Sequence, residues 1–410
     1  MQLSAEAGPA WLPSQTIPHR RPVPSRQPFL PAMSLRIFSD PAGFSADAKL
    51  CPLLVPWGEE FTGAARFPFS LDPYVRTGRD YFTRTGPAEC DLVICPVAWQ
   101  SDRDNDLVRR LAGQARAWGK PLIVFCEADT EAPFPVPGPV VFRGSLRRSL
   151  RLPSEVAAPA FIKDHLAGPA LVPAAGPRLK GDQPVVGFCG CVDPSAGSGP
   201  VLRRMLSRAV NWGVLSRPRL ERFLRRCGVR ITRSEGKRAR YQALGTLRRC
   251  PGIRQNLKVR DQFLNGTLLL PKAEQTGHWE QSFAEFRENV LGSDYTLCPR
   301  GGGNWSYRFY ETLCLGRVPV FINTDCVLPC EPLVNWRDYC VWVEGDALEH
   351  TAEAILRHYQ GHTAESFVEL QRRCRKLWLD FLSLDGFFRN FHRHAEIQSS
   401  PAARTAPERT

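Results

Sequence analysis

The 410-residue sequence has no run of about 18 apolar residues, so no segment is expected to span a membrane. Residues 1–33 contain Pro and Arg but no apolar stretch of the signal-peptide kind, so no secretory signal is predicted. None of the 14 Cys residues forms a CxxC pair or a Cys/His spacing typical of zinc, which argues against a structural metal. Most of them lie in apolar runs, as buried free thiols do. We therefore expect a cytoplasmic protein with reduced cysteines.

Lys is scarce: it supplies eight of the 54 basic residues, and Arg supplies the rest. With 41 acidic residues the net charge is +13. Because Arg forms bidentate contacts with phosphate and carboxylate, this balance favours an anionic partner such as a nucleotide, a polyanionic glycan or anionic lipid. Compositional drift is the alternative interpretation. Neither interleaved aromatic residues nor a known nucleic-acid module is present, so no nucleic-acid partner is predicted.

The length suits two domains. Composition and pattern predict the following division: a disordered tail at 1–33, an N-terminal Rossmann-like acceptor domain at 34–165, a Pro/Gly/Ala-rich linker at 166–183, a C-terminal Rossmann-like nucleotide-sugar domain at 184–345, C-terminal helices at 346–395 and a second tail at 396–410.

Apolar runs and helical spacing alternate along the chain, which indicates βαβ units and parallel sheets. In the first half we predict strands at 35–38, 92–97, 121–126 and 138–142, and a helix at 102–118. In the second half we predict strands at 184–188, 295–298 and 318–322, and helices at 201–212, 278–291, 305–315, 347–359 and 366–391. The basic residues 213–260 are interpreted as helix and exposed loop.

A Gly-rich loop between a strand and a helix is the clearest candidate for chemistry. Gly301, Gly302 and Gly303 follow Arg300 and precede the helix that carries Arg308 and Glu311. Unpaired N–H groups at a helix N-terminus attract anions, and glycine lets the backbone approach a phosphate. Arg308 and Glu311 share a helix face, which suits a phosphate and a ribose hydroxyl. The alternative is a tight turn with a structural Arg308–Glu311 ion pair.

The same segment resembles the exostosin family of glycosyltransferases. The resemblance is carried by S-D-Y-T-L-C-P-R-G at 293–301, then by Ser306, Arg308 and Glu311, and then by Gly316, Pro319, Val320, Asp325, Leu328, Pro329 and Trp336. Weaker similarity lies at 140–145 and 186–190. The family usually has Ala where this chain has Thr312. The loop of this chain, with three glycines followed by Asn304 and Trp305, is also longer than is usual in the family.

The resemblance implies an inverting glycosyltransferase of the GT-B type, with two Rossmann-like α/β domains whose parallel sheets face each other across a cleft. It implies a nucleotide-sugar donor, usually a UDP-sugar, in the C-terminal domain, an acceptor in the N-terminal domain, and no metal cofactor. By position, Glu311 would bind the ribose, while Arg308 and Ser306 would bind the pyrophosphate. The phosphate loop and its flank would be Arg300, Gly301, Gly302, Gly303 and Asn304.

Inverting transfer also needs a base, which we expect at the carboxyl ends of the N-terminal strands. Three acidic residues follow predicted strands: Asp40, Glu127 and Asp129. We choose Asp129 as the catalytic base and Arg308 as the catalytic residue that stabilises the leaving diphosphate. The alternative for Asp129 is a role in a turn or a helix cap. Asp164 and His165 near the domain join are a further pair. Asp102 and Asp104 spell a DxD motif but sit at a helix start, where Asp is an ordinary cap. The C-terminal His residues are interpreted as surface or packing residues.

The sequence thus predicts transfer of a sugar from a nucleotide-sugar to a glycan or lipid-linked glycan. Basic residues 217–260 are either a solvated face or a peripheral contact with the inner face of a membrane. A GDP-fucose-using enzyme and a non-catalytic glycan- or polyanion-binding protein remain open as alternatives.

Overall fold

Two parallel β-sheets organise the fold, which we describe from a computed structural model for residues 34–44, 48–62, 72–167, 176–192, 235–260 and 262–394. The first sheet has the order β2-β1-β3-β4-β5-β6, and its strand pairs are all parallel. Its strands are β1 (Leu35–Phe38), β2 (Phe82–Arg84), β3 (Leu92–Ile94), β4 (Leu122–Cys126), β5 (Val140–Arg143) and β6 (Glu155–Ala157).

The second sheet has the order β11-β10-β9-β7-β8 and is also parallel throughout. Its strands are β7 (Val185–Cys191), β8 (Arg254–Arg260), β9 (Tyr295–Cys298), β10 (Val318–Asn323) and β11 (Val341–Glu344). In each sheet the first strand lies between the second and the third. The order therefore reverses beside β1 and beside β7, and a crevice for ligands forms at the carboxyl ends of strands at such a point.

Helices cover both sheets, which explains why strands such as β4 and β9 are buried along their whole length. They are α1 (Gly58–Thr62), α2 (Tyr74–Tyr81), α3 (Asn105–Ala117), α4 (Glu235–Arg248), α5 (Lys272–Leu291), α6 (Tyr307–Cys314), α7 (Thr351–Gln360), α8 (Ala364–Leu377) and α9 (Leu384–Arg389). After α6, Gly316 takes the left-handed conformation (φ +63°) that ends a helix at low cost. Within the described residues, no helix is long and apolar enough to cross a membrane.

The C-terminal helices return to the first sheet and help to join the two halves. Phe388 of α9 lies 4.7 Å from the ring of Tyr74 and 5.7 Å from that of Phe125. Asp385 accepts hydrogen bonds from Thr77 and Tyr81, at 2.5 and 3.0 Å. The described residues consequently form one compact unit.

The predicted fold class is confirmed: the protein is α/β, with two Rossmann-like parallel sheets of the GT-B-like kind. The predicted strands and helices of the described residues recur, with ends shifted by a few residues. The domain boundaries stay predictions. The predicted tails, the helix at 201–212 and the middle of the linker lie outside the described residues, as do residues 213–234.

Two predictions about elements are wrong. Residues 254–260 are the edge strand β8 rather than helix or loop, because seven backbone pairings with β7 hold a polar, partly exposed segment extended. The helix predicted at 366–391 is interrupted by a π-helical turn at Trp378–Leu382. There Ser383 turns extended and accepts a hydrogen bond from the N–H of Gly386 (3.0 Å), so a new helix begins.

Candidate functional site

The Gly-rich loop, residues 299–306, lies between β9 and α6, beside the point where the strand order of the second sheet reverses. The N–H of Gly301 donates to the carbonyl of Trp305 (2.7 Å), which closes the loop on itself. Ser306 is the extended N-cap residue of α6 and makes no side-chain cap bond. The loop thus stands at the position where open α/β sheets bind ligands.

The glycines of this loop are required by the approach of the N-terminal half. A Cβ on Gly302 would lie 2.9 Å from Oδ2 of Asp129, and one on Gly303 would lie 2.6 Å from Oγ of Ser145. A larger residue at position 302 or 303 would therefore require these side chains to shift. Because a carboxylate already faces Gly302, this side of the loop is a poor place for a phosphate. The predicted contacts of Gly301 to Gly303 with the donor stay a prediction.

Asn304 holds the loop to its surroundings and is fully buried. Its backbone N–H donates to Ser145 (2.9 Å), its side-chain amide donates to the carbonyl of Leu146 (3.1 Å), and its amide oxygen accepts from Thr324 (2.6 Å). The Sγ of Cys326 donates to its carbonyl (3.0 Å). Because Asn304 is fully buried, a contact with a donor would require this enclosure to open, and its predicted role stays a prediction.

Arg300 is 6% exposed and forms an ion pair across the two halves with Glu131, which also pairs with Arg147. Burial acts to raise the pKa of Glu131, but the two guanidinium groups outweigh it and lower that pKa. The guanidinium of Arg300 is therefore engaged by a protein carboxylate. Its predicted role as a donor-binding residue stays a prediction.

Arg308 and Arg240 form the centre of the candidate site, and we call them the arginine pair. The guanidinium of Arg308 lies 5.3 Å from the ring of Phe188 and 5.8 Å from that of Phe286. It abuts the end of β7, since a Cβ on Gly190 would lie 2.7 Å from its Nη2. Arg240 of α4 donates to the carbonyls of Cys191 (3.0 Å) and Arg300 (3.1 Å).

Both guanidinium groups retain unused hydrogen-bonding capacity. The Nε of Arg240 and the Nε of Arg308 are buried and have no hydrogen-bond partner. Within the part of the chain that the structure describes, no carboxylate forms an ion pair with either. Burial, and after it the positive charge of Arg308, lowers the pKa of Arg240 to about 10, so Arg240 stays charged at neutral pH. Two neighbouring cations without a counter-ion make an anion site.

Arg240 was missed by sequence reasoning. It lies sixty residues before Arg300, in a basic stretch that was interpreted as a solvated face or a membrane contact. Its partners are main-chain carbonyl groups, which leave no mark in a sequence. Only the packing of α4 against the loop, where a Cβ on Gly236 would lie 2.6 Å from the carbonyl oxygen of Arg300, brings it to the site.

Glu311 lies one turn beyond Arg308 on α6 but forms no ion pair with it. Its Oε1 lies 3.7 Å from Nε2 of His165, which is buried and makes no hydrogen bond. The imidazole packs on Phe283 (4.7 Å), and the backbone N–H of His165 donates to Sγ of Cys314 (3.4 Å). The structure thus places Glu311 and Arg308 on the same helix with both side chains available to a ligand.

Asp129 lies beside the loop, where its Oδ1 accepts a hydrogen bond from the indole Nε1 of Trp305 (2.7 Å). A cavity separates this region from the first sheet, and we call it the interface cavity. It lies at the carboxyl ends of β4 and β5, and its lining includes Lys49, Phe125, Glu127, Phe161, Trp305 and Tyr307. Asp129 and the Gly-rich loop, predicted from distant parts of the sequence, are therefore brought together.

The other acidic candidates have local structural roles. Asp40 caps a short helical turn by accepting from the N–H of Ala42 (2.9 Å). Asp104 accepts from the backbone N–H groups of Gln100 and Ser101, at 2.8 and 3.3 Å, as an N-terminal cap of the helical segment. Asp164 pairs with Arg375 (2.7 Å). The contacts of Asp104 agree with the cap role that the sequence indicated for the DxD motif.

The comparisons with known proteins match this same region. Residues 234–359 match the family model of the Exostosin GT47 domain. A probable glucuronoxylan glucuronosyltransferase of Arabidopsis thaliana, IRX7, is 38% identical over 83 residues, which are 18% of each chain. Exostosin-1 of Drosophila melanogaster is 29% identical over 94 residues, 23% of this chain and 12% of that protein.

The matched segments thus span less than a fifth of these relatives. A solved glycosyltransferase from Rickettsia africae covers 90% of this chain and all of its own, at 9% identity and a TM-score of 0.37. The matched family domain contains Arg240, Arg300, Arg308 and Glu311. The resemblance predicted from the sequence is confirmed for residues 234–359, which match the Exostosin GT47 domain.

Proposed function

We propose that the protein is a glycosyltransferase that binds the diphosphate of a nucleotide-sugar at the arginine pair. The observation that carries this proposal is the pair of buried, unpartnered Nε groups of Arg308 and Arg240 at the carboxyl ends of β7 and β9. Guanidinium groups bind phosphate oxygens with strong, charge-assisted hydrogen bonds. A diphosphate would supply the negative charge that the described residues do not.

The arginine pair also suits the chemistry of transfer. Negative charge develops on the diphosphate as its bond to the sugar breaks, and preorganised cations in a site shielded from water stabilise it strongly. The N-terminus of α6 adds a partial positive charge at the same place. Because these groups supply the charge, we propose a reaction that needs no metal. We propose inversion at the anomeric carbon because the exostosin resemblance implies it. Activity that changes less than twofold with EDTA or Mg²⁺ supports this part, and a requirement for the metal contradicts it.

Glu311 is proposed to bind the ribose hydroxyls of the donor. Its carboxylate lies on the same helix as Arg308, so the diphosphate and the ribose would occupy successive turns of α6. We propose UDP as the nucleotide because the exostosin resemblance implies it. A glucuronosyl donor is the first sugar to test, given the name of the relative from Arabidopsis thaliana. The acceptor is proposed to be a glycan or a lipid-linked glycan, bound by the N-terminal half.

The predicted cytoplasmic location and the peripheral membrane contact through residues 217–260 are retained as proposals. Arg240 is turned towards the candidate site and is not part of such a surface. Residues 217–234 lie outside the described residues. Co-sedimentation with anionic vesicles at low and high salt tests the contact, since attraction to such lipids is screened by salt.

A thermal-shift panel of UDP, GDP, CDP and ADP tests the donor site, because a ligand of the native state raises its stability by mass action. The variants are Arg308→Ala, Arg240→Ala and Glu311→Ala, with Arg357→Ala as a matched control on the exposed face of α7. We expect stabilisation by UDP alone, lost in the two arginine variants, weakened in the Glu311 variant and kept in the control.

The other outcomes separate the alternatives. Stabilisation by GDP alone would replace the UDP proposal with a GDP-fucose-using enzyme. UDP binding without release of UDP from any UDP-sugar would point to a binding protein that has lost catalysis. Failure of all four nucleotides to stabilise the wild type would contradict the donor site.

A further inference from the structure

The interface cavity and the arginine pair meet at consecutive residues of α6. Tyr307 lines the cavity, while Arg308 reaches the end of β7. The Cα atoms of successive residues are about 3.8 Å apart. A sugar attached to a diphosphate at Arg308 would therefore extend towards the mouth of the cavity.

The cavity has the composition of a carbohydrate site. Its walls are aromatic, with Trp305 and Tyr307 on one side and Phe125 and Phe161 on the other, and its polar groups are few. The indole and phenol rings lie 4.8 Å apart and form a corner. Aromatic faces pack against the C–H faces of sugars, and a small number of placed polar groups fixes their orientation.

Two carboxylates stand near this corner, but only one lines the cavity. Glu127 lines the cavity, and its Oε2 accepts a hydrogen bond from Nζ of Lys49. Its Oε1 accepts no hydrogen bond from a described residue. Asp129 is exposed outside the lining, and its Oδ1 is taken by the indole of Trp305. Partial burial, and after it the negative charges of Glu127, Asp129 and Glu311, raises the pKa of Tyr307 to about 12. Both carboxylates thus lie close enough to the phenol to act on it.

We propose that Glu127 is the catalytic base and that the interface cavity binds a pyranose acceptor; the inference rests on the proposed function. The acceptor hydroxyl oxygen forms a bond to the anomeric carbon of the donor, and its proton moves to Oε1 of Glu127. The bond from the anomeric carbon to the diphosphate oxygen breaks. Its electron pair leaves with the diphosphate, which the arginine pair holds.

In this arrangement Lys49 and Asp129 are positioning residues. Lys49 fixes the Glu127 carboxylate by holding its other oxygen. Asp129 orients the indole of Trp305, which is packed against the backbone of Gly144, where a Cβ would lie 2.3 Å from the ring. Asp129, which the sequence analysis chose as the base, thus supports the wall of the acceptor site, and Glu127 accepts the proton.

The test compares Glu127→Gln with Asp129→Asn, two isosteric changes, and uses Glu60→Gln, at an exposed position of α1, as the matched control. UDP-glucuronic acid and UDP-xylose are the donors, and xylohexaose or water is the acceptor. The readouts are kcat and KM for xylohexaose, UDP release, and the Kd of UDP from calorimetry. We expect Glu127→Gln to lower kcat by about 10²- to 10⁴-fold with the Kd of UDP changed less than twofold.

For Asp129→Asn we expect a larger KM for xylohexaose and a kcat within about tenfold of the wild type. A Glu127→Gln variant that keeps a third or more of kcat would overturn the inference and leave the proposed function standing. Loss of kcat in Asp129→Asn alone would make Asp129 the base. A wild type that releases no UDP from any donor would overturn the proposed function and this inference together.

Discussion

Replacement of Arg308 by Met should make the ligand-free protein more stable and weaken nucleotide binding. The guanidinium Nε of Arg308 is buried without a partner, and such a group costs about 1–3 kcal/mol. Its charge also contributes to lowering the pKa of Arg240 from 12.5 to about 10. Since burial is the larger cause of that change, the repulsion between the guanidinium groups of Arg308 and Arg240 amounts to about 1 kcal/mol.

Against this gain stands the loss of two cation–π contacts, with Phe188 and Phe286, each about 0.5–1 kcal/mol. Met fills similar volume and keeps a favourable contact with aromatic rings. The net expectation is stabilisation by about 1 kcal/mol, or roughly 1 °C in Tm for a chain of this size. The affinity for UDP should fall by about 30-fold or more, because a charge-assisted contact of 2 kcal/mol or more is removed.

Urea unfolding and calorimetry with UDP measure the two effects on the same variant. Arg308→Lys keeps the charge and should bind UDP weakly, since it cannot form a bidentate contact. Arg357→Met on the exposed face of α7 is the control and should change neither property. A loss of more than 1 kcal/mol of stability in ligand-free Arg308→Met would show that the arginine is a structural residue. The account of the anion site would then be refuted.

Three further results are expected. Arg143→Met removes the ion-pair partner, at 2.5 Å, of the buried Glu155 and should lower the free energy of unfolding by about 3–5 kcal/mol. Adding Glu155→Gln should recover part of the lost stability, and a double variant that recovers none would contradict a charge effect. Trp305→Ala should raise KM for the acceptor by about tenfold with the Kd of UDP unchanged, and a parallel loss of UDP affinity would refute a wall role. Burial lowers the pKa of His358 to about 4, so between pH 6.5 and 4 the unfolded chain binds a proton that the folded protein does not. The free energy of unfolding should therefore fall by up to about 3 kcal/mol as the pH falls from 6.5 to 4. His358→Gln should flatten this pH profile, and an unchanged profile would show that another group is responsible.

The sequence allowed the fold class and the loop after β9 to be predicted because both depend on local signals. Buried strands appear as continuous apolar runs, and Gly316 marks the end of α6 by its left-handed backbone. The edge strand β8 could not be found in this way. Its sequence is polar and its residues are only partly buried, and it is a strand only because β7 offers a hydrogen-bonding edge.

The candidate site was predicted in part for a similar reason. Arg308 and Glu311 are three residues apart on one helix, and this spacing predicts that they share a face. The presence of Asn304 in the loop was visible, but its enclosure by Ser145, Leu146 and Thr324 depends on contacts between the two halves. The same is true of Arg240. A residue whose partners lie far along the chain cannot be assigned from its neighbours alone.

A structure of the protein with UDP is the most direct test of the central claim. The account predicts diphosphate oxygens within hydrogen-bonding distance, about 3 Å, of guanidinium nitrogens of both Arg308 and Arg240, at the carboxyl end of β7. A diphosphate bound instead on the Asp129 side of Gly302, or no bound nucleotide at a saturating concentration of UDP, would contradict it.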